Sequence, residues 1–153
     1  MSVLTPTILI PLIFIIIGLV LFFIYFRNLA KVRASQAWPA VQGTVIASWV
    51  RRKQSTDDDG SVSSSYYPEI QYQYQVLGMA YQGDKIAFGP KSGGNRTKAE
   101  RAIAKYPNGA NVKVYYQPDK PENAVLERSI TKGLLVSGIL MILVGIFIYI
   151  RWG

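Results

Sequence analysis

Two apolar runs, one near each end of the chain, constrain its folding more than any other feature. Ile8–Phe26 contains no charged residue, and sixteen of its nineteen residues are Ile, Leu, Val or Phe. At about 1.5 Å per helical residue, such a run is about 28 Å long, close to the roughly 30 Å of a membrane's hydrocarbon core. The second run extends from Ile130 to Ile150 and is followed by Trp152, which suits the membrane interface. We therefore predict two transmembrane helices, at residues 8–26 and 130–150.

A cleaved signal peptide is the alternative for the first run. Such peptides begin with basic residues and end at a cleavage site made of small residues. Met1–Thr7 contains no basic side chain, and the apolar run is longer than that of a typical signal peptide. We expect the first run to be retained as a membrane anchor.

Basic residues beside the two runs predict the orientation of the chain. Arg27, Lys31 and Arg33 follow the first run and Lys132 precedes the second, whereas only Arg151 lies at the far side of either run. Loops that carry Lys and Arg close to a span tend to stay on the cytoplasmic side. We expect a multi-pass protein of a bacterial inner (cell) membrane, with the middle of the chain in the cytoplasm and both termini outside.

The composition of the middle limits its chemistry. The chain has a formal net charge of +8, and all nine acidic residues lie between Arg27 and Lys132. A basic domain suits an anionic partner, and for a domain tied to a membrane we expect lipid headgroups and no nucleic acid. Because the chain has no Cys and no His, it lacks disulfides, Cys/His zinc sites, thiol catalysis and the usual general base. We expect no catalytic residue, metal or cofactor, and hence no enzyme.

Residues 38–128, which follow a basic juxtamembrane segment at 27–37, have the pattern of a β-rich soluble domain. From Tyr66 to Val76 the even positions are aromatic or aliphatic and the odd positions are mostly polar, which is typical of a strand with one buried face. We predict a polar loop at Gln54–Ser65 and a short helix at Thr97–Tyr106, begun by a capping box of Thr97 and Glu100. Further strands are predicted at Val41–Lys53, Met79–Phe88, Val112–Gln117 and Ala124–Glu127.

These elements define the expected fold class. It consists of α-helical membrane anchors plus a small α+β domain, mainly of antiparallel β structure with one short helix. Whether the strands form a single sheet, a sandwich or a barrel is left open.

Two basic segments are candidates for contact with an anion or a lipid. Arg51, Arg52 and Lys53 lie together at a strand end, and the glycine-rich stretch 89–94 precedes the predicted helix. This stretch lacks the GxxxxGK[ST] pattern of a phosphate-binding loop, but Lys91 within it and Arg96 after it would hold an anion there. The alternatives are a solvated strand end and a plain loop.

Small residues in the second run indicate close helix packing. The residues concerned are Gly133, Ser137, Gly138 and Gly145. Small residues let two helices approach closely in a membrane, so this face predicts contact either with the first span or with another copy of the chain.

Several short motifs occur in a fixed order through the domain. Trp38 and Val41-Gln42-Gly43-Thr44-Val45 come first, and Tyr67-Pro68, Tyr72, Tyr74, Val76, Gly78, Tyr81 and Gly83 follow. Tyr106-Pro107-Asn108-Gly109 then opens a YPxGxxVxVYYxPxxP pattern that runs to Pro121. In this order the segment from Trp38 to Glu127 resembles domain-of-unknown-function family 3592, a group of small bacterial membrane proteins with a β-rich domain. The resemblance implies the architecture and supplies no catalytic residue.

The sequence thus favours a non-enzymatic interaction or scaffold module tethered to the bilayer. Its expected partners are the lipid bilayer and another membrane protein or a second copy of itself. The alternative is a membrane-anchored sensor or binding domain for a small anionic ligand or a lipid headgroup.

Overall fold

The computed structural model describes residues 6–91, 93–130 and 132–152, which form two compact units. Among the described residues, one unit holds those up to Ala30 together with those from Lys132 onward, and the other holds those within Lys31–Ile130. In chain order the elements are α1 (Pro6–Ser35), β1 (Ala40–Thr56), β2 (Val62–Val76), β3 (Met79–Gly83), α2 (Arg96–Ala104), β4 (Asn111–Gln117), β5 (Lys120–Val125) and α3 (Gly133–Trp152).

In the first unit, α1 and α3 pack through glycines. Within the described residues, these two helices are long and apolar enough to cross a membrane. A Cβ added to Gly18 would lie 2.5 Å from Ile142 Cγ1 and 3.0 Å from the carbonyl oxygen of Gly138. One added to Gly145 would lie 2.9 Å from Ile15 Cγ1. The backbones therefore approach so closely that larger side chains would separate them.

The second unit is built on a five-stranded antiparallel sheet with the order β3-β2-β1-β4-β5 and the short helix α2. The predicted fold class is confirmed, and the open question of sheet arrangement is answered by a single sheet. The period-two pattern is also borne out, since Ile70, Tyr72, Tyr74 and Val76 are buried whereas Gln71, Gln73 and Gln75 are exposed. The rest of the core includes Val45, Tyr106, Val112, Val114, Ala124 and Leu126.

The sheet curls around this core, and its two edges are linked by backbone hydrogen bonds. Residues 85–88, after β3, meet residues 126–129, after β5. The amide of Glu127 donates to Ile86 O at 2.7 Å, and the amide of Phe88 donates to Ser129 O at 2.9 Å. From β2, the neighbour of the edge strand β3, the Tyr72 hydroxyl donates to the carbonyl oxygens of Lys85 (3.0 Å) and Ala124 (3.1 Å). The segment after β3 and the strand β5, at opposite edges of the sheet, are thereby both held to β2.

The YPNG turn after α2 fastens this part of the chain to β1. Gly109 has a φ of +82°, which glycine adopts without a steric penalty. Its amide donates to Val45 O at 2.8 Å, and the amide of Val45 donates to Ala110 O at 2.9 Å. Tyr106 is buried, and its hydroxyl donates to Glu127 Oε1 at 2.6 Å. The motif that carries the family resemblance is therefore structural.

Several predicted boundaries are wrong. The segment Gln54–Ser65 is mostly strand, because β1 continues to Thr56 and β2 begins at Val62. In contrast, β3 ends at Gly83, where a Cβ would lie 2.6 Å from the ring of Tyr72. The capping box is also wrong. Asn95 caps α2 by accepting a hydrogen bond from the amide of Lys98, so the helix begins one residue before Thr97.

Candidate interaction surface

The two longest strands extend well beyond the rest of the sheet. β4 pairs with β1 only along Ala40–Thr44, and β3 pairs with β2 only along Tyr72–Val76. Beyond these limits β1 and β2 pair with each other, from Ala47 opposite Gln71 to Thr56 opposite Val62. We call residues 47–71 the arm. At roughly 3.3 Å per residue, the arm projects about 30 Å beyond the part of the sheet in which β3 and β4 also pair with β2 and β1.

The outer part of the arm is open to solvent on all sides. Every residue from Arg51 to Ser63 is exposed. Within the described residues, no further strand pairs with β1 between Ser48 and Thr56. The backbone N–H and C=O groups along this edge are therefore available to another strand. Two-stranded ribbons are marginally stable in water, so this arrangement is typical of a segment that gains stability from a partner.

A charge cluster fastens the base of the arm. Glu69 lies on the polar face of β2 but is only 8% exposed. Arg51 Nε donates to its Oε1 at 2.9 Å, and Lys91 Nζ donates to its Oε2 at 2.6 Å. Lys91 also contacts Asp84 Oδ2 at 3.0 Å, and the Arg51 guanidinium lies 5.2 Å from the centre of the Tyr67 ring. Two cations and two carboxylates thus join β1, β2 and the glycine-rich loop.

The electrostatics of this cluster favour its charged form. Burial by itself would raise the pKa of Glu69, but the hydrogen bonds and charges of Lys91 and Arg51 outweigh it and hold the pKa below its usual value. Burial would likewise lower the pKa of Lys91, yet the two carboxylates beside it raise that pKa. Both groups are charged near neutral pH and stabilise each other.

The glycine-rich loop braces the arm from the side. Gly94 and Tyr66 exchange two backbone hydrogen bonds, each 3.0 Å long. A Cβ on Gly93 would lie 2.6 Å from the ring of Tyr67, so only glycine allows the loop to lie this close. The loop is positioned by the arm and by Glu69, and Lys91 is the residue that makes the ionic part of this contact.

The structure does not gather the five candidate cations into one cluster. Arg51 and Lys91 meet at Glu69, whereas Arg96 pairs with Glu100 on α2 at 2.7 Å. Arg52 donates to the Ser64 hydroxyl, and Lys53 is exposed opposite Ser65. Contact of these residues with an anion or a lipid stays a prediction. Sequence reasoning missed Glu69 because its odd position assigns it to the exposed face.

The small residues of α3 divide between two faces. Gly138 is buried, and a Cβ there would lie 3.3 Å from Gly18 O of α1. Gly145 faces the same helix, at Pro11 and Ile15. Gly133 and Ser137 are exposed instead. The structure thus places two of the four predicted packing residues against α1.

The turn between β2 and β3 presents an exposed apolar side chain. Leu77 is 96% exposed and has a φ of +50°, and Gly78 follows with a φ of +82°. Two successive positive φ values are typical of the tight hairpin turn that favours Asn-Gly. Leucine at the first position is strained, since its Cβ crowds the backbone there.

Comparison with protein families supports the resemblance noted in the sequence. The model of a family described as Domain of unknown function (DUF3592) matches residues 41–131, more than half of the chain. Among curated proteins, none is matched. The matched segment includes the whole sheet from Val41 onward, the arm and α2.

Proposed function

The chain belongs to the DUF3592 family, and on that premise we propose that it is a membrane protein whose β-rich domain serves as a non-enzymatic interaction module. The arm is the observation that carries this proposal. It offers a nine-residue strand edge from Ser48 to Thr56, and its outer part is fully exposed. A strand edge of this kind binds an extended segment of another chain by adding a strand to the sheet.

Two apolar helices fit the membrane part of the proposal. α1 and α3 flank the domain in the sequence, and each has the length and composition of a span. We place the protein in a bacterial inner membrane with the domain on the cytoplasmic side. Arg27, Lys31 and Lys132 lie at the ends of the spans that adjoin the domain, and segments with Lys and Arg close to a span tend to stay in the cytoplasm.

Photo-cross-linking tests the interaction module. A photoreactive amino acid at Ser55, on the exposed edge, should yield a cross-linked product of higher mass when cells are irradiated. The same residue at Gln71, at the base of the arm, is the matched control and should yield much less. Equal yields at both positions, or no product at Ser55, would contradict the proposal.

Cysteine labelling tests the sidedness. The chain has no native cysteine, so a Ser55→Cys variant carries a single reactive thiol. A membrane-impermeant maleimide should label it in lysed cells and leave it unlabelled in intact spheroplasts. Labelling in intact spheroplasts would place the domain on the opposite side of the membrane.

Binding of a small anion at the glycine-rich loop is the alternative function. Lys91 and Arg96 would have to exchange Glu69 and Glu100 for the anion, which the existing ion pairs oppose. A thermal-shift series with inorganic phosphate and nucleotides separates the two functions. A stabilisation that Arg96→Ala abolishes would favour the anion site.

A further inference from the structure

The segments that link the two edges of the sheet also contact the end of α1. We call residues 85–88 and 126–129 the seam, because backbone hydrogen bonds join them. Two of these bonds, 2.7 and 2.9 Å long, involve Glu127 and Ser129, the chain neighbours of Arg128. The backbone of Arg128 therefore belongs to the seam, and the contacts of its side chain bear on whether the seam stays closed.

The side chain of Arg128 caps the end of α1. Its Nη1 donates to the carbonyl oxygen of Gln36 at 2.8 Å and to that of Ser35 at 3.4 Å. These carbonyls lie at a helix C-terminus, where the helix dipole favours a cation. The guanidinium also lies 4.2 Å from the centre of the Tyr115 ring on β4. Arg128 is thus held between the helix and the sheet.

The other half of the seam contacts the same helix end through an aromatic pair. The ring centres of Trp38 and Phe88 are 5.6 Å apart, and the ring planes are inclined at 66°, which is a favourable edge-to-face arrangement. Phe88 is buried, and the amide of Trp38 donates to Ser35 O at 3.0 Å. The stretch Ser35–Trp38 at the end of α1 therefore contacts both halves of the seam.

The seam leads directly to the residues that brace the arm. Phe88 lies three residues before Lys91, whose Nζ donates to Glu69 Oε2 at 2.6 Å. The paired backbone hydrogen bonds between Gly94 and Tyr66 follow three residues later. Because so short a loop begins at the seam, movement of Phe88 reaches both of these contacts.

From these contacts we infer that the end of α1 is a latch on the seam, and that this latch controls how firmly the glycine-rich loop braces the arm. The inference rests on the proposed function and concerns the regulation of that same surface. α1 is one continuous helix from Pro6 to Ser35, so the element that carries the latch also contains the first apolar run. When the end of α1 leaves Arg128 and Phe88, the seam opens and the base of the arm loosens.

Hydrogen–deuterium exchange of the full chain in detergent tests the latch. Arg128→Ala removes the contacts with α1 and Tyr115 but keeps the backbone of the seam. Exchange should become about fivefold faster in peptides that cover residues 85–91 and 64–70, because a charged hydrogen bond to the helix end is lost. Residues 72–76 in the core should keep the parental rate, whereas a general loss of stability would accelerate every peptide.

A double variant tests the route from the latch to the arm. In a Lys91→Ala background the contact with Glu69 is already lost. Adding Arg128→Ala should then leave the exchange of residues 64–70 unchanged, while residues 85–88 still exchange faster. Further acceleration at residues 64–70 would overturn the route through the loop.

The controls separate the latch from a general effect of losing an arginine. Arg101→Ala removes the same side chain from an exposed position on α2 and should leave exchange at the parental rate. If Arg128→Ala fails to fold, Arg128→Lys replaces it. Lysine keeps the charge but lacks the planar group that lies on Tyr115, so the same pattern should appear with a smaller amplitude. Parental exchange in the seam of a folded Arg128 variant would overturn the inference.

Cross-linking at Ser55 keeps the latch and the proposed function distinguishable. Exchange needs no partner, so it decides on the latch even if Ser55 yields no product, an outcome that contradicts the interaction module alone. Where the parent protein gives a product, Arg128→Ala should lower its yield, because a loosened arm occupies more positions, and Arg101→Ala should not. An unchanged yield from a variant with faster exchange at the arm would overturn the control of the arm and leave the interaction module standing.

Discussion

At the scale of single residues, Glu69 is the ionisable group on which the base of the arm depends. Its pKa is held below the ordinary 4.5, so its contribution to stability is complete above that pH and is lost as the pH falls through the lower folded-state value. Glu69→Gln should lower the free energy of unfolding by about 2 kcal/mol at pH 7, because it removes the carboxylate that both cations contact. The loss is no larger because the side chains of Arg51 and Lys91 are half-exposed and water can hydrate them. Denaturant unfolding at pH 7 and in acid checks this.

The control for that experiment is Glu122→Gln, which removes an exposed carboxylate of the same type. It should leave the acid sensitivity of the protein unchanged. If Glu69→Gln loses as much stability on acidification as the parent protein does, the Glu69 cluster is not the acid-sensitive contact.

Leu77 is a residue whose replacement should stabilise the protein. Its positive φ disfavours leucine, and its side chain is almost fully exposed. Leu77→Asn should raise the unfolding free energy by about 1 kcal/mol, because asparagine tolerates this conformation. Leu77→Ala removes the same side chain and keeps the strain, so its denaturation midpoint should not rise. A gain with alanine would indicate a different cause.

The position of Glu69 shows where single-residue prediction ends. The alternation in β2 assigns it correctly to the polar face, together with Gln71 and Gln73. Its burial arises from Lys91 and the glycine-rich loop, which lie far along the chain. A period of two reports the face of a strand and carries no information about a loop that covers it.

At the scale of elements, the start of α2 depends on one side chain. Asn95 Oδ1 accepts from the amide of Lys98 at 2.9 Å. Asn95→Ala should lower the free energy of unfolding by about 1 kcal/mol, because the amide of Lys98 in the first turn of the helix then loses its hydrogen-bond acceptor. Thr97→Ala, at the position that the capping-box pattern favours, should have a much smaller effect. Thermal unfolding of both variants decides between the two caps.

The pairing of α1 with α3 depends on the absence of side chains at its contacts. Gly145→Val would bring a side chain against Ile15 and the Pro11 carbonyl, so it should force the helices apart. Ser137→Val is the matched control, because Ser137 is exposed. We label the two helices and measure energy transfer between the labels as SDS is added. Gly145→Val should lose this transfer at a lower SDS fraction than the parent protein, and Ser137→Val should lose it at the same fraction as the parent. Equal shifts for both would mean that packing is not specific to the glycine face.

Element type was more predictable than element length. The apolar face of β2 and the breaks at Pro107 and Gly109 identify the strands and the helix correctly. The arm was missed because Gln54–Thr56 and Ser63–Ser65 are polar on both faces, as loop residues are. A ribbon exposed on both faces has no apolar alternation, so only its backbone pairing reveals it.

At the scale of the whole molecule, the domain contains its own core. The buried cluster that includes Val45, Tyr72 and Val114 lies wholly within residues 31–130. We expect a soluble fragment of residues 31–130 to fold cooperatively, with a thermal transition in near-ultraviolet circular dichroism. The same fragment with Tyr72→Ala should lose that transition, because the tyrosine links β2 to both edges. A featureless spectrum of the parent fragment would contradict this expectation.

The linkage of the two edges of the sheet was beyond sequence-based prediction. It joins Ile86 to Glu127 through backbone atoms, which have no side-chain signature. The sequence shows the YPNG turn only as a motif. It does not show the backbone hydrogen bonds that Gly109 and Ala110 form with Val45, which explain the motif. Long-range backbone pairing depends on how the sheet curls, and local patterns do not encode that curvature.

The linked edges also impose an order on biosynthesis. The chain emerges from the ribosome starting at its N-terminus, and the bond from Phe88 to Ser129 can form only after Ser129 has been made. α3 begins at Gly133, immediately afterwards. The two edges of the sheet therefore cannot be joined until residues only a few positions before α3 have been synthesised. Completion of the domain and synthesis of the second apolar helix are thus neighbouring events along the chain.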